Sequence, residues 1–161
     1  MSGTTGTSAT RKDQARRRAG KTGRKRKPVT GFEVKSAKGL SRTLTHRIIL
    51  GGVSAALVKS AVDHDVLALD EVHRFIPKST FARKVRDNTT LSVEEGDRIA
   101  RLARLKSYAA DVFDNEEDAG IWLSENNPAL GGEAPIDLLL TDDGARRVET
   151  VLRRIDYGDY T

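Results

Sequence analysis

Residues 121–140 read IWLSENNPALGGEAPIDLLL, and the reading of this stretch decides the fold. Ile121-Trp122-Leu123 is the apolar end of a helix. Asn127-Pro128 and Gly131-Gly132 are turn-forming pairs, and Pro135 stands where a new helix would begin. Thr141 then opens a second amphipathic helix whose apolar positions, Ala145, Val148, Val151, Leu152 and Ile155, recur at helical spacing. Gly158 is placed to stop it. No metal, nucleophile or phosphate chemistry needs such a pattern. It reads as a loop that folds two helices onto each other around Trp122, or as a recognition module that holds another protein.

Upstream, the same periodicity continues. Order is expected from near Gly39. Leu44, Ile48, Ile49 and Leu50 give a short apolar helix stopped by Gly51-Gly52, and Val53, Ala56, Leu57, Ala61 and Val62 give another. A third has Asp70 near its start and Val72, Phe75 and Ile76 facing inward. After Pro77-Lys78, Ser79 or Thr80 would cap a fourth, which Asp87-Asn88 ends. Ser92-Val93-Glu94-Glu95 is a capping box that opens the longest helix. That helix would bury Ile99, Leu102, Ala103, Ala109, Val112 and Phe113 and leave Arg98, Arg101, Arg104 and Lys106 in water. Gly96 would weaken it by about 1 kcal/mol relative to Ala. Asp114 would cap the helix that carries Ala119, Trp122 and Leu123. No alternating strand pattern of useful length and no internal repeat is found, so the expected architecture is all-α.

Composition narrows the function. The 161 residues allow one domain or two small ones and include no cysteine, which removes disulfides, thiolate zinc sites and cysteine nucleophiles together. The longest near-apolar run, residues 48–58, is far shorter than the ~20 residues of a membrane-spanning helix, and no apolar stretch follows the basic start, so a cytoplasmic chain is expected. Residues 1–30 hold ten Lys/Arg against one acid, Asp13, a balance of +9; with +5 for the whole chain, the remainder carries −4. Residues 1–38, poor in large apolar side chains, read as a disordered basic arm. Such an arm suits a nucleic-acid backbone, while the acidic body suits a different partner. The bland alternative is a passive solubilising tail.

Residues 70–86 read as helix, tight turn, helix. In a helix-turn-helix the second helix enters the major groove. Phe81, Ala82 and Val85 would then pack inward, leaving Lys78, Ser79, Thr80, Arg83, Lys84 and Arg86 for phosphates and bases. Any helical hairpin with a basic second helix would share this pattern. His46, His64 and His73 lack a metal or catalytic signature and are read as surface residues. Asp142-Asp143 and the run 114–118 are read as acids favoured by helix N-termini. No residue constellation supports an enzyme, and no cofactor is expected. Trp122 would anchor the core, or serve as a hot spot at an interface. The ending Tyr157-Gly158-Asp159-Tyr160-Thr161 is poor core material but would suit a short plug in a partner's cleft.

Trp122-Leu123, residues 127–132 (NPALGG), residues 135–139 (PIDLL), Thr141, Gly144-Ala145, Val148, residues 152–155 (LRRI) and Tyr157-Gly158 closely resemble the C-terminal toxin-binding domain of the MbcA/ParS/Xre antitoxins. Residues 79–84 (STFARK) and 91–101 (LSVEEGDRIAR) resemble the Xre-type helix-turn-helix and joining helix of that family. Phe81 stands where Leu is commoner, Gly96 where Ser is commoner, and the apolar ending of many relatives is lacking. The resemblance implies a helix-turn-helix DNA-binding domain over 39–90, and a connecting helix with a toxin-binding domain over 91–161. It implies an antitoxin that inhibits a cognate RES-domain toxin, an NAD-depleting enzyme, by inserting its C-terminal end near the active-site cleft. It implies a repressor of its own operator DNA, as a homodimer or within a larger toxin–antitoxin complex. Trp122, Leu130, Gly131, Arg154, Tyr157, Gly158, Asp159 and Tyr160 would then meet the toxin. A free-standing helix-turn-helix regulator whose C-terminal domain dimerises or binds another protein fits the same residues.

Overall fold

The computed structural model describes residues 34–158, and all regular structure among them is helical. Helices α1 (Ala37–Thr43), α2 (His46–Gly51), α3 (Ala55–Asp63), α4 (Leu69–Phe75) and α5 (Lys78–Arg86) lead into the 21-residue α6 (Val93–Phe113). Then come α7 (Glu116–Ser124), a 3-10 turn at Pro128–Leu130, α8 (Pro135–Leu138) and α9 (Asp142–Asp156). Extended pairing among these residues is limited to isolated bridges at Ser54–Thr90 and Asn127–Glu133. No described helix is long and apolar enough to cross a membrane.

Helix α6, about 30 Å long at ~1.5 Å per residue, is the spine. Its buried residues Ile99, Leu102, Ala103, Leu105 and Ala109 meet α1, α2 and α4 on one side and α7 and α9 on the other. The Ser92 hydroxyl accepts from the Glu95 N–H while the Glu95 carboxylate accepts from the Ser92 N–H, as the capping box requires. Thr141 caps α9 through the Gly144 N–H, and Gly158 takes the left-handed conformation (φ 71°) just past its end.

Several expectations are corrected. Packing begins upstream of Gly39: Val34 and Ala37 are buried, and the Ser36 hydroxyl caps α1. Leu44 belongs to the end of α1, and Leu50 is exposed. Helix α5 starts at Lys78 because the Pro77 carbonyl accepts from the Phe81 N–H, which places Ser79 and Thr80 inside the first turn rather than at its cap. Asp114 ends α6 in the left-handed region (φ 52°), and the Asn115 amide oxygen caps α7. Arg101 and Lys106 are not in water. Arg101 is 8% exposed and donates to the Leu139 carbonyl, Asp97 and Asp142; Lys106 donates to buried Glu71 at 2.8 and 2.9 Å. The helices laid over α6 enclose both positions, so each cation carries its acceptors with it.

Gly96 is not a mere weakness in α6. A Cβ there would lie 3.0 Å from Val53 Cγ2, so its absence lets α6 approach the chain before α3. Ion pairs add two ties, Arg74 to Asp137 between α4 and α8, and Lys38 to Asp111 between α1 and α6.

Candidate functional site

Two surfaces stand out. The first is built by α4 and α5. Ile76 is extended (φ −132°, ψ 121°) and Pro77 starts the next helix, so α5 leaves α4 through a tight turn. Phe81 is buried and meets the His73 ring edge-on, with centroids 6.0 Å apart, and α5 packs on α3. Lys78, Ser79, Arg83 and Arg86 are exposed, Thr80 is half-buried, and Ala82 is exposed rather than inward. Lys84 is largely enclosed: its ammonium donates to the Thr90 carbonyl and lies 2.9 Å from Glu95. Burial pushes the Glu95 carboxyl up, but hydrogen bonds from the Ser92 N–H, the Lys84 ammonium and the Ser92 hydroxyl, with the Lys84 charge, outweigh it and hold the pKa below the usual value. Asp87, through a hydrogen bond and its charge, raises Arg86 further. Of the six polar residues expected at DNA, Lys84 therefore belongs to the scaffold.

The second surface lies on α9. Asp143, Arg146, Arg147, Thr150 and Arg154 line a groove of about 320 Å³ against Ala129 and Leu130. Arg147 Nη2 donates to the Leu130 carbonyl at 3.1 Å, which fixes its guanidinium over the 3-10 turn. Leu130 is 1% exposed and supplies floor rather than reach, while Gly131 (φ 81°) turns the chain beside Arg147. Leu130 and Arg154 thus share one groove, with Gly131 at its edge. Trp122 does not line it: the ring is half-buried against Phe113, with centroids 5.8 Å apart. Tyr157 is 74% exposed past the last turn of α9. Asp159, Tyr160 and residues 1–33 of the basic arm lie outside the described residues, whereas its last part, 34–38, packs on the body. Arg146 and Arg147 were missed by sequence reasoning, although their i, i+4 and i, i+7 spacing to Thr150 and Arg154 puts them on one helix face.

No histidine cluster forms among the described residues. The His64 ring Nδ1 lies 2.7 Å from the Ser60 carbonyl, His73 faces Phe81, and the His46 side chain lies outside the described residues. No group of three or more metal-ligating side chains gathers among the described residues.

The spine α6 thus carries a capped helical module with a groove on α9 and an exposed Tyr157 past its end. A family model described as the antitoxin Xre/MbcA/ParS C-terminal toxin-binding domain matches residues 109–158. The chain is 30% identical over 113 residues to "Antitoxin Xre" of Pseudomonas putida, covering 70% of this chain and 71% of the relative. It is 32% identical over 126 residues to "Prs ADP-ribosylating antitoxin" of Sphingobium sp., covering 70% and 78%. An "Antitoxin Xre" of Yersinia enterocolitica is 31% identical over 87 residues, covering 53% and 59%. The chain belongs to the Xre/MbcA/ParS family of antitoxins.

Proposed function

We propose that the chain neutralises a RES-type, NAD-depleting toxin through its C-terminal domain and represses its own operon through α4 and α5, as a dimer or within a larger complex with the toxin. The observation that carries the first half is the match of residues 109–158 to a toxin-binding domain, ending where Tyr157 stands in solvent. A relative's name invokes ADP-ribosylation, a chemistry that consumes NAD, which agrees with an NAD-using toxin. An NAD-binding cleft must accept an anion, and α9 ends in Asp156 and Tyr157, with Asp159 beyond them in the sequence. An acidic, aromatic tip suits such a cleft. Trp122, Leu130, Gly131, Arg154, Tyr157, Gly158, Asp159 and Tyr160 make up the toxin-facing region in this reading, with Trp122 and Leu130 as its supports. The DNA half is supported by the short turn into α5 and by the cationic residues Lys78, Arg83 and Arg86 on its exposed side.

Purification of the tagged chain from its native host, with identification of any stoichiometric partner, tests the reading. A partner that depletes NAD once separated supports it. Deletion of residues 157–161 is expected to release that activity while operator binding survives. Isolation of only DNA and the chain itself would sink the antitoxin role and leave a free-standing regulator.

A further inference from the structure

The arginines of α9 are at odds with its acidic tip. Arg146, Arg147 and Arg154 face one groove, and Asp143 is the only acid that lines it. Arg147 Nη2 is engaged by the Leu130 carbonyl, but neither the Arg146 nor the Arg154 guanidinium has an ion pair or hydrogen-bond partner among the described residues. A helix that entered an anion-binding cleft along its whole length would bring these cations against like charge, which is costly. On the groove face the cations therefore run from Arg146 to Arg154, in the last turn of α9, and the acids Asp156 and, further on in the sequence, Asp159 come only after them.

From this division we infer that the Arg146–Arg154 groove docks acidic side chains on the rim of the toxin, outside its cleft, and so sets how deep the tail can enter. The inference rests on the reading that the C-terminal domain holds a protein toxin. Arg146 and Arg154 stand about 12 Å apart along the axis at ~1.5 Å per residue, so side chains extended from the helix can each take a separate anionic group, while converging ones could share a single phosphate. Carboxylates distributed over a protein surface reach both. Arg147, with Nη2 engaged by the Leu130 carbonyl, lends the groove fixed positive charge beside the two adaptable guanidiniums of Arg146 and Arg154. Thr150 lines the groove between them, but its hydroxyl proton goes to the Arg146 carbonyl, so the arginines alone supply donors to a carboxylate.

The test uses the full chain and its stoichiometric partner from the native host, purified separately and recombined over a salt series. Arg146→Glu/Arg154→Glu is expected to weaken binding about tenfold or more and to flatten its salt dependence. Arg146→Lys/Arg154→Lys, which keeps the charge, is expected to retain most of the affinity. Thermal melting by circular dichroism checks the fold, and Arg154→Glu alone replaces the double variant if that melts early. Unchanged affinity and salt slope in the Glu variants overturn the docking role while the antitoxin reading stands. Failure of the wild-type chain to hold any partner removes both. A calorimetric titration of the free chain with inorganic pyrophosphate separates the remaining alternative: tight binding lost in the Glu variant would make the groove a phosphate site and overturn the inference.

Discussion

Two glycines on helices, Gly144 and Gly120, differ in what surrounds them, and that decides what a methyl group would do. At Gly144 an added Cβ would lie 2.0 Å from the Leu138 carbonyl oxygen, which is backbone and cannot step aside. At Gly120 nothing lies within 4 Å, so a methyl meets open space. Alanine is favoured over glycine in a helix by about 1 kcal/mol. Gly120→Ala should therefore raise stability by up to about that amount in urea unfolding, whereas Gly144→Ala should lower it by roughly 2–3 kcal/mol as α8 and α9 are pushed apart. Equal effects at the two sites would mean that α9 does not sit against α8 as described. Arg83 and Lys84 divide in the same manner. Arg83 is exposed on α5, and Arg83→Ala should cost specific operator binding about 1–3 kcal/mol if the guanidinium reads a base. Lys84→Ala should instead lower the melting temperature, because its ammonium serves Glu95 and Thr90.

The Ser92–Glu95 capping box shows how a local signal acquires a tertiary role. Glu95 closes the box on α6 and also receives Lys84 from α5, so one carboxylate joins two helices. Its pKa is held below the usual 4.5, so its stabilising contribution is fully present above that value and is lost as the pH falls through the depressed folded pKa. Glu95→Gln can still close the box but cannot balance Lys84. At neutral pH it should cost about 1–2 kcal/mol. That difference from wild type should vanish in acid, below the folded pKa. A gap that stays constant across pH would show that the Lys84 charge contributes nothing. The box was legible in the sequence because its signal spans four residues; so were the Thr141 cap and the Gly158 stop, and with them the all-α class. What was not legible depends on neighbours distant in sequence. Arg101 and Lys106 looked like wet cations on a periodic helix until α4, α8 and α9 enclosed them. Ser79 and Thr80 carried the chemistry of a cap, but Pro77 took the position through its carbonyl. In the candidate site, Arg154 and Leu130 could be named from motif resemblance, whereas Arg146 and Arg147 required the groove to be seen.

At the scale of the whole chain, charge and fold are partitioned differently. The described helices share a single spine in α6; Lys38–Asp111 ties α1 to it, and Arg74–Asp137 joins α4, before it, to α8, after it. The charge is split at the N-terminus instead, with +9 in residues 1–30 and −4 in all that follows. If the body alone binds operator DNA, the exposed Lys78, Arg83 and Arg86 can neutralise only a few phosphates, and the remaining acidic surface opposes approach. If the arm takes part, each phosphate it neutralises adds roughly 0.9 to the slope of log K against log salt. Deletion of residues 1–30 should therefore weaken specific and non-specific DNA alike and flatten that slope by several units. Toxin binding, located at the opposite end of the chain, should be unchanged. Filter-binding titrations on operator and scrambled duplexes over a salt series would measure both. Loss confined to the operator sequence would make the arm a base reader, and an unaltered slope would make it a passive tail. The second result would leave the body to hold DNA against its own net charge, with Lys78, Arg83 and Arg86 of α5 as the cations that must meet it.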